Sequence, residues 1–155
     1  MVPKFSLQTV LDVRHSRAEA LEVEFGKLLS REKMIFNEIE TLENTKESLM
    51  STLHQQMSGD MDLFVVAHLR ANINQHVAAI DKCHLALADL QIEIESKRRQ
   101  LVSARQAEET LDILKRKEIK RFKEKEAIHE NKEQDDIYIS RNYQKRQEVD
   151  VNKDE

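Results

Sequence analysis

Counting from Leu7 in alternating steps of four and three marks positions 7, 11, 14, 18, 21, 25, 28, 32, 35, 39, 42, 46, 49, 53 and 56. Eleven of these fifteen are Leu, Ile, Phe or Ala, the exceptions being Arg14, Glu32, Lys46 and Gln56. A 3.5-residue period held this long leaves few folds open, because only a helix wound against a partner keeps such a stripe facing apolar surroundings. The repeat therefore predicts one long helix over residues 6–58. Ser6 suits its N-cap, and Phe5 with Val10 stands where a hydrophobic staple would fix the entry of the chain.

The repeat stops at "QMSGDMD", residues 56–62. Gly59 can take the left-handed conformation that ends a helix, and Asp60 or Asp62 can cap the next, which places a turn at 59–61. A second stripe with the same stepping then runs through Val66, Leu69, Ile73, His76, Ile80, Cys83, Leu87, Leu90, Ile94, Lys97, Leu101, Ala104, Glu108 and Leu111.

If the chain doubles back at Gly59, facing positions have residue numbers adding to a constant. Leu53 then meets Val66, Leu49 meets Leu69, Ile39 meets Ile80, Phe25 meets Ile94, Ala18 meets Leu101 and Leu7 meets Leu111, each pair adding to 118 or 119. The expected fold is all-α, a long antiparallel two-helix coiled-coil hairpin whose second helix extends beyond the first. At 1.5 Å per residue the paired part is roughly 75 Å long. In this register Arg14 lies one layer from Glu108, an expected cross-helix ion pair, while Glu32 and Lys46 face Leu87 and Ile73 and snorkel outward.

The whole of 1–155 reads as a single coiled-coil domain. Its second helix covers 62–144, of which 112–144 is an arm without a partner in the chain, supported by Glu/Lys pairs that are individually weak. The polar residues 145–155 are expected to be a disordered tail. Composition agrees with helices over sheet: the chain has two glycines, one proline, no tryptophan and 35% charged residues.

A lone cysteine, Cys83, precludes an intramolecular disulfide and fits a reducing compartment. The longest apolar run, Leu63 to Ala67, is far short of the ~20 residues that span a bilayer, so a soluble, cytoplasmic protein is expected. Net charge is −4, unevenly spread: Ser96 to Lys132 holds twelve Lys/Arg against seven Asp/Glu, leaving +5 there and −9 elsewhere.

His76 and Cys83 sit seven residues apart on the second stripe and read as packed seam residues, not metal ligands. His15, His54, His68, His84 and His129 are scattered, and a two-helix hairpin offers no concave pocket to gather catalytic groups. No enzyme activity, metal or cofactor is expected. The stretch from Lys115 to Lys125 could meet phosphates, but Glu118 and Glu124 interrupt it, so it reads as a solvated or protein-contacting face. Met50, Met57 and Met61 are adaptable apolar contacts around the turn. Phe64 and Val65 adjoin the seam residue Val66 and cannot all be covered by one partner helix, which leaves an apolar patch near the tip.

The opening "FSLQTVLDVR" and the late "NKEQDDIYISR" resemble the family of the flagellar export protein FliJ and, more distantly, its injectisome counterpart YscO. The family's N-terminal F-x-L-x-x-[VL]-L-D-x-R is matched by Phe5, Leu7, Val10, Leu11, Asp12 and Arg14. Its later basic stretch, aromatic and E-Q…D-[DE] are matched by Lys115 to Arg121, Phe122, Glu133, Gln134, Asp135 and Asp136, with Tyr138 departing from the usual alanine.

The resemblance implies a non-enzymatic component of the type III export apparatus at the flagellar base, peripheral to the inner membrane and built like a rotary-ATPase γ-subunit shaft. Its implied partners are the export ATPase FliI at one end, the export gate FlhA at the other, and in some members export chaperones. The family's gate-contacting pattern, V/F-x₃-L-x₂-A-x₃-H, falls on Val65, Leu69, Asn72 and His76, beside Phe64, with Asn72 in place of the small apolar residue. The ATPase contact implied for the other end gathers Phe5, Arg14, Arg116, Lys120, Arg121 and Phe122, with the last four expected to face outward. Two other readings remain open: a scaffold coiled coil that dimerises through its C-terminal arm, and nucleic-acid binding through the basic stretch.

Overall fold

A computed structural model describes residues 5–151. Two helices account for nearly all of them, α1 (Gln8–Met57, 50 residues) and α2 (Leu63–Val151, 89 residues), packed against each other with no strand among the described residues. The chain divides into two compact units, the larger comprising Arg14–Gln106 and the smaller joining the start of α1 to the part of α2 from Ala107 onward.

In the larger unit the 3.5-residue stripe is the core. Between residues 18 and 56 the positions shielded from solvent are 18, 21, 25, 28, 32, 35, 39, 42, 46, 49, 53 and 56, and every position between them is exposed. The facing stripe of α2 is shielded at each of its positions from Val66 to Ala104. Ala18, Leu28, Ile39, Val66, Leu69, Ile80, Leu87 and Leu90 are buried outright. One helix covering another shields only a seam, so alternation of large side chains along it replaces a three-dimensional core.

Contacts on the seam's flanks fix the antiparallel direction. Lys97 Nζ lies 2.7 Å from Glu24 Oε2, Gln91 Nε2 donates to Glu32 Oε1 at 3.3 Å, and Arg105 pairs with Glu22. As residue numbers fall along α1 they rise along α2. Glu32 does reach sideways from the seam, as its position opposite Leu87 required, and finds an amide there.

The turn differs from expectation in how α1 ends. Neither glycine has positive φ, so Gly59 does not provide a left-handed cap. Ser58 closes the helix: its N–H donates to Gln55 O at 3.3 Å and its hydroxyl to His54 O at 2.8 Å, satisfying terminal carbonyls a left-handed residue would otherwise cover. Of the two candidate caps for α2, Asp62 serves. Its Oδ1 accepts from Phe64 N at 2.9 Å, and its carbonyl accepts the first helical bond from Val66 N at 3.0 Å.

In the smaller unit Leu11 and Leu111 are buried. The first helical bond runs from Leu11 N to Leu7 O at 2.9 Å, so Leu7 occupies the cap position expected of Ser6. Leu7 is consequently 41% exposed, off the seam it was expected to open. Phe5, Ser6 and Leu7 line a shallow groove with Leu114, Lys117, Glu118 and Arg121, so α2 still has company beyond Leu111. Helix α2 also continues to Val151, past the expected boundary at 144, because "QKRQEVDV" contains no Gly or Pro to stop it. The remainder of the expected tail, 152–155, lies outside the described residues.

Candidate docking surfaces

At the turn, the cap made by Asp62 holds Phe64 in the first turn of α2, pointing away from the seam. Phe64 is 89% exposed, the largest exposure of any large apolar residue among the described residues, and Val65 is 39% exposed beside it. Leu63 and Met61 widen the patch. A phenyl ring so open contributes little to folding, yet would gain from burial against a partner.

The other residues of the expected gate contact are less available. Leu69 is buried in the seam, so it packs the hairpin and is no free contact. Asn72 and His76 are half-buried at its edge. The His76 ring donates through Nδ1 to Asn72 O at 2.9 Å, since a carbonyl can only accept, and this holds the ring along its own helix. Asn72 Nδ2 reaches His68 Nε2 at 3.5 Å. The pattern V/F-x₃-L-x₂-A-x₃-H thus splits in space, Val65 outward and Leu69 inward.

Among the residues expected to meet the ATPase, Arg116 and Lys120 extend from the smaller unit, their side chains 78% and 79% exposed. Each is tethered only to its own helix, Arg116 to Asp112 at 2.6 Å and Lys120 to Glu124 at 3.9 Å. Such i,i+4 pairs stabilise a helix by a few tenths of a kcal/mol and leave the charge accessible. Arg121 borders the groove that holds Phe5. Phe122 departs from expectation, being half-buried in line with Leu111, Lys115 and Ile119, which carry the seam row onward. Arg14 is exposed and belongs to the larger unit. Farther along α2, Ile137, Tyr138, Ile139 and Tyr143 are all more than half exposed.

One feature had no motif to announce it. Met50, Leu53, His54 and Met57 of α1 and Arg70, Ile73 and Asn74 of α2 line a groove on one flank of the hairpin. A sequence signal existed in Arg70, a lone cation flanking the seam beside a Met-rich helix end.

Electrostatics elsewhere concern helix pairing. Glu95 is pushed down to about 2 by hydrogen bonds from Arg98 and Arg99. Lys97, by hydrogen bond and then by charge, holds the Glu24 carboxyl below its ordinary value. Among the described residues there is no group of His, Cys, Asp and Glu able to hold a metal ion, and no helix long and apolar enough to cross a membrane.

A protein-family model, described as that of the flagellar FliJ protein, matches residues 3–148. Searches of curated proteins and of solved structures found no match.

Proposed function

From the premise that this chain belongs to the flagellar FliJ protein family, and is therefore a component of the flagellar export apparatus, we propose that it works there without catalysis, as a γ-subunit-like shaft coupling the export ATPase ring to the export gate. The supporting observation is the division of its exposed chemistry. Phe64 and Val65 offer an apolar contact at the turn, and the part of α2 after Ala107 offers the exposed cations Arg116, Lys120 and Arg121, the first two paired only within their own helix. A hairpin with one apolar and one charged contact region suits mechanical linkage between two partners.

In this reading Phe64 and Val65 meet the gate FlhA, and Arg116, Lys120, Arg121 with Phe5 and Phe122 meet the ATPase FliI. Its place is peripheral, at the inner membrane where the export apparatus stands. Export chaperones are further partners on the strength of the family alone. Pull-down of the export ATPase and, separately, of the cytosolic gate domain tests the assignment, against heparin as a polyanion at several salt concentrations. Binding of both proteins at physiological salt supports it. Heparin binding without either protein favours a nucleic-acid reading, and self-association through residues 112–144 with no partner captured favours a scaffold.

A further inference from the structure

We propose that the groove bounded by Met50, Leu53 and Met57 of α1 and Arg70, Ile73 and Asn74 of α2 is a docking site for a segment of a partner protein that carries an apolar side chain next to a carboxylate. This rests on the reading that the turn end of the hairpin docks a protein, and it adds the chemistry of what is docked.

The floor is apolar because two helices can seal only their shared seam. Leu53 and Ile73 are seam residues and half-buried, but their outer edges remain uncovered on this flank. Met50 and Met57, 52% and 49% exposed, stand one on each side of His54 and border that floor. Methionine is unbranched and polarizable, so a wall built from two of them can reshape around different apolar side chains at small cost.

Arg70 decides the polarity of the guest. It is exposed, and it has no hydrogen-bond or ion-pair partner among the described residues. Arg98 and Arg99 hold Glu95 and Arg105 holds Glu22, so those guanidiniums are engaged; Arg17 and Arg31 are exposed and unpaired among the described residues as well, but Arg70 is the arginine that lines this groove. A guanidinium at the edge of an apolar groove remains charged at any physiological pH, presents a planar fork of donors, and pairs best with a carboxylate. Against an apolar floor that excludes water such a pair gains strength, which is why arginines beside apolar pockets dominate many interfaces. Asn74, one turn along from Arg70, adds a neutral donor that orients the same carboxylate. The occupant that satisfies floor and rim together is a leucine-like residue followed closely by Asp or Glu.

The test uses the full chain labelled with ¹³C at its methionine methyl groups. The probes are acetyl-Ser-Leu-Asp-Leu-Ser-amide and its asparagine counterpart at millimolar concentrations. The proposal expects saturable shifts of the Met50 and Met57 methyls with the aspartate peptide, at least five-fold weaker binding of the asparagine peptide, and no shift at Met34, which is exposed far from the groove in sequence. Arg70→Gln should lose the difference between the two peptides without changing the melting temperature, because Arg70 is exposed and unpaired. Arg70→Lys should recover part of it, a point charge without the fork. Equal binding of both peptides, shifts spread over every methionine, or an Arg70→Gln chain indistinguishable from wild type overturns the proposal.

Gate binding measured on the same variants separates the two claims. A wild-type chain that binds the gate while its peptide binding ignores Arg70 refutes the groove and keeps the function. Arg70-dependent peptide binding by a chain that never binds the gate keeps the groove and refutes the gate reading.

Discussion

Lys97 Nζ stands 2.7 Å from Glu24 Oε2, a contact that joins a seam position of α2 to a flank position of α1 across the hairpin. Lys97 is mostly shielded, its side chain 22% exposed, whereas Glu24 is 54% exposed. The lysine therefore lays its methylenes along the seam and delivers its charge to the rim.

This pair has a pH signature. Glu24 titrates below its ordinary value of 4.5 because Lys97 bonds and attracts its charged form. A carboxylate whose folded pKa is depressed contributes stability that is complete above the unfolded value and is lost as pH falls through the folded one. As pH drops below about 5 the melting temperature should therefore fall more steeply in the wild-type chain than in Lys97→Met, which retains seam volume but loses the charge. NMR titration of Glu24 should move up to its ordinary value in that variant. Matching pH profiles of the two proteins would show that the pair is too solvated to matter.

The seam itself was readable because its period is a strict geometric requirement: any one residue gained or lost would have turned Leu28 or Ile39 to solvent. What sequence could not supply was the choice between equivalent local solutions. A helix may end on a left-handed glycine or on a serine hydroxyl, and "MSGD" contains both; Ser58 won because it satisfies the last carbonyls without leaving the right-handed region. Leu7 and Phe122 were misplaced for a related reason. Row counting carried the first stripe one layer too far, since Leu7 caps the helix, and stopped the second too early, since the row of Leu111 continues through Lys115 and Ile119 to Phe122. The flank groove depends on which side of the seam the helices leave open, a rotation that period alone does not fix.

Core and surface apolar residues should separate cleanly in stability. Leu90, 4% exposed, is among the most buried leucines, and Leu90→Ala should cost ~2–5 kcal/mol by loss of contacts and the cavity left behind. Cysteines in place of Leu28 and Leu90, in a Cys83→Ser background, should crosslink within one chain, since both are buried at facing positions of the hairpin. Denaturant melts and a non-reducing gel at low protein concentration check both, and crosslinking only between chains would contradict the antiparallel pairing.

The turn patch should behave in the opposite way. Phe64→Glu with Val65→Glu changes residues that are 89% and 39% exposed, so the melting temperature should move little. Binding of the gate domain should weaken at least ten-fold if these side chains are its contact. Normal gate binding by this double variant would move the contact elsewhere on the hairpin. Leu69 cannot serve as a substitute test, because changing a buried seam residue alters folding and binding together.

The charged part of α2 requires a different experiment, since no single residue there dominates. Ending the chain after Phe122 retains the groove of Phe5, Leu114, Lys117 and Arg121 and leaves Arg14–Gln106 untouched, so cooperative melting should persist. Because this truncation keeps Phe5, Arg116, Lys120, Arg121 and Phe122, it should retain most of the stimulation of ATP hydrolysis by the export ATPase, and loss of stimulation would extend the interface to the arm beyond Phe122. Arg116→Glu, Lys120→Glu and Arg121→Glu together, in the full-length chain, should reduce stimulation more at low salt than at high, because attractions between exposed charges are screened within ~10 Å at 0.1 M ionic strength. The intrahelical partners Asp112 and Glu124 would then face like charge, so a circular-dichroism melt of the triple variant separates lost helix from lost contact. A triple variant with normal helicity and undiminished stimulation at every salt concentration would remove these cations from the ATPase interface. The same result from the truncated chain would remove the distal arm.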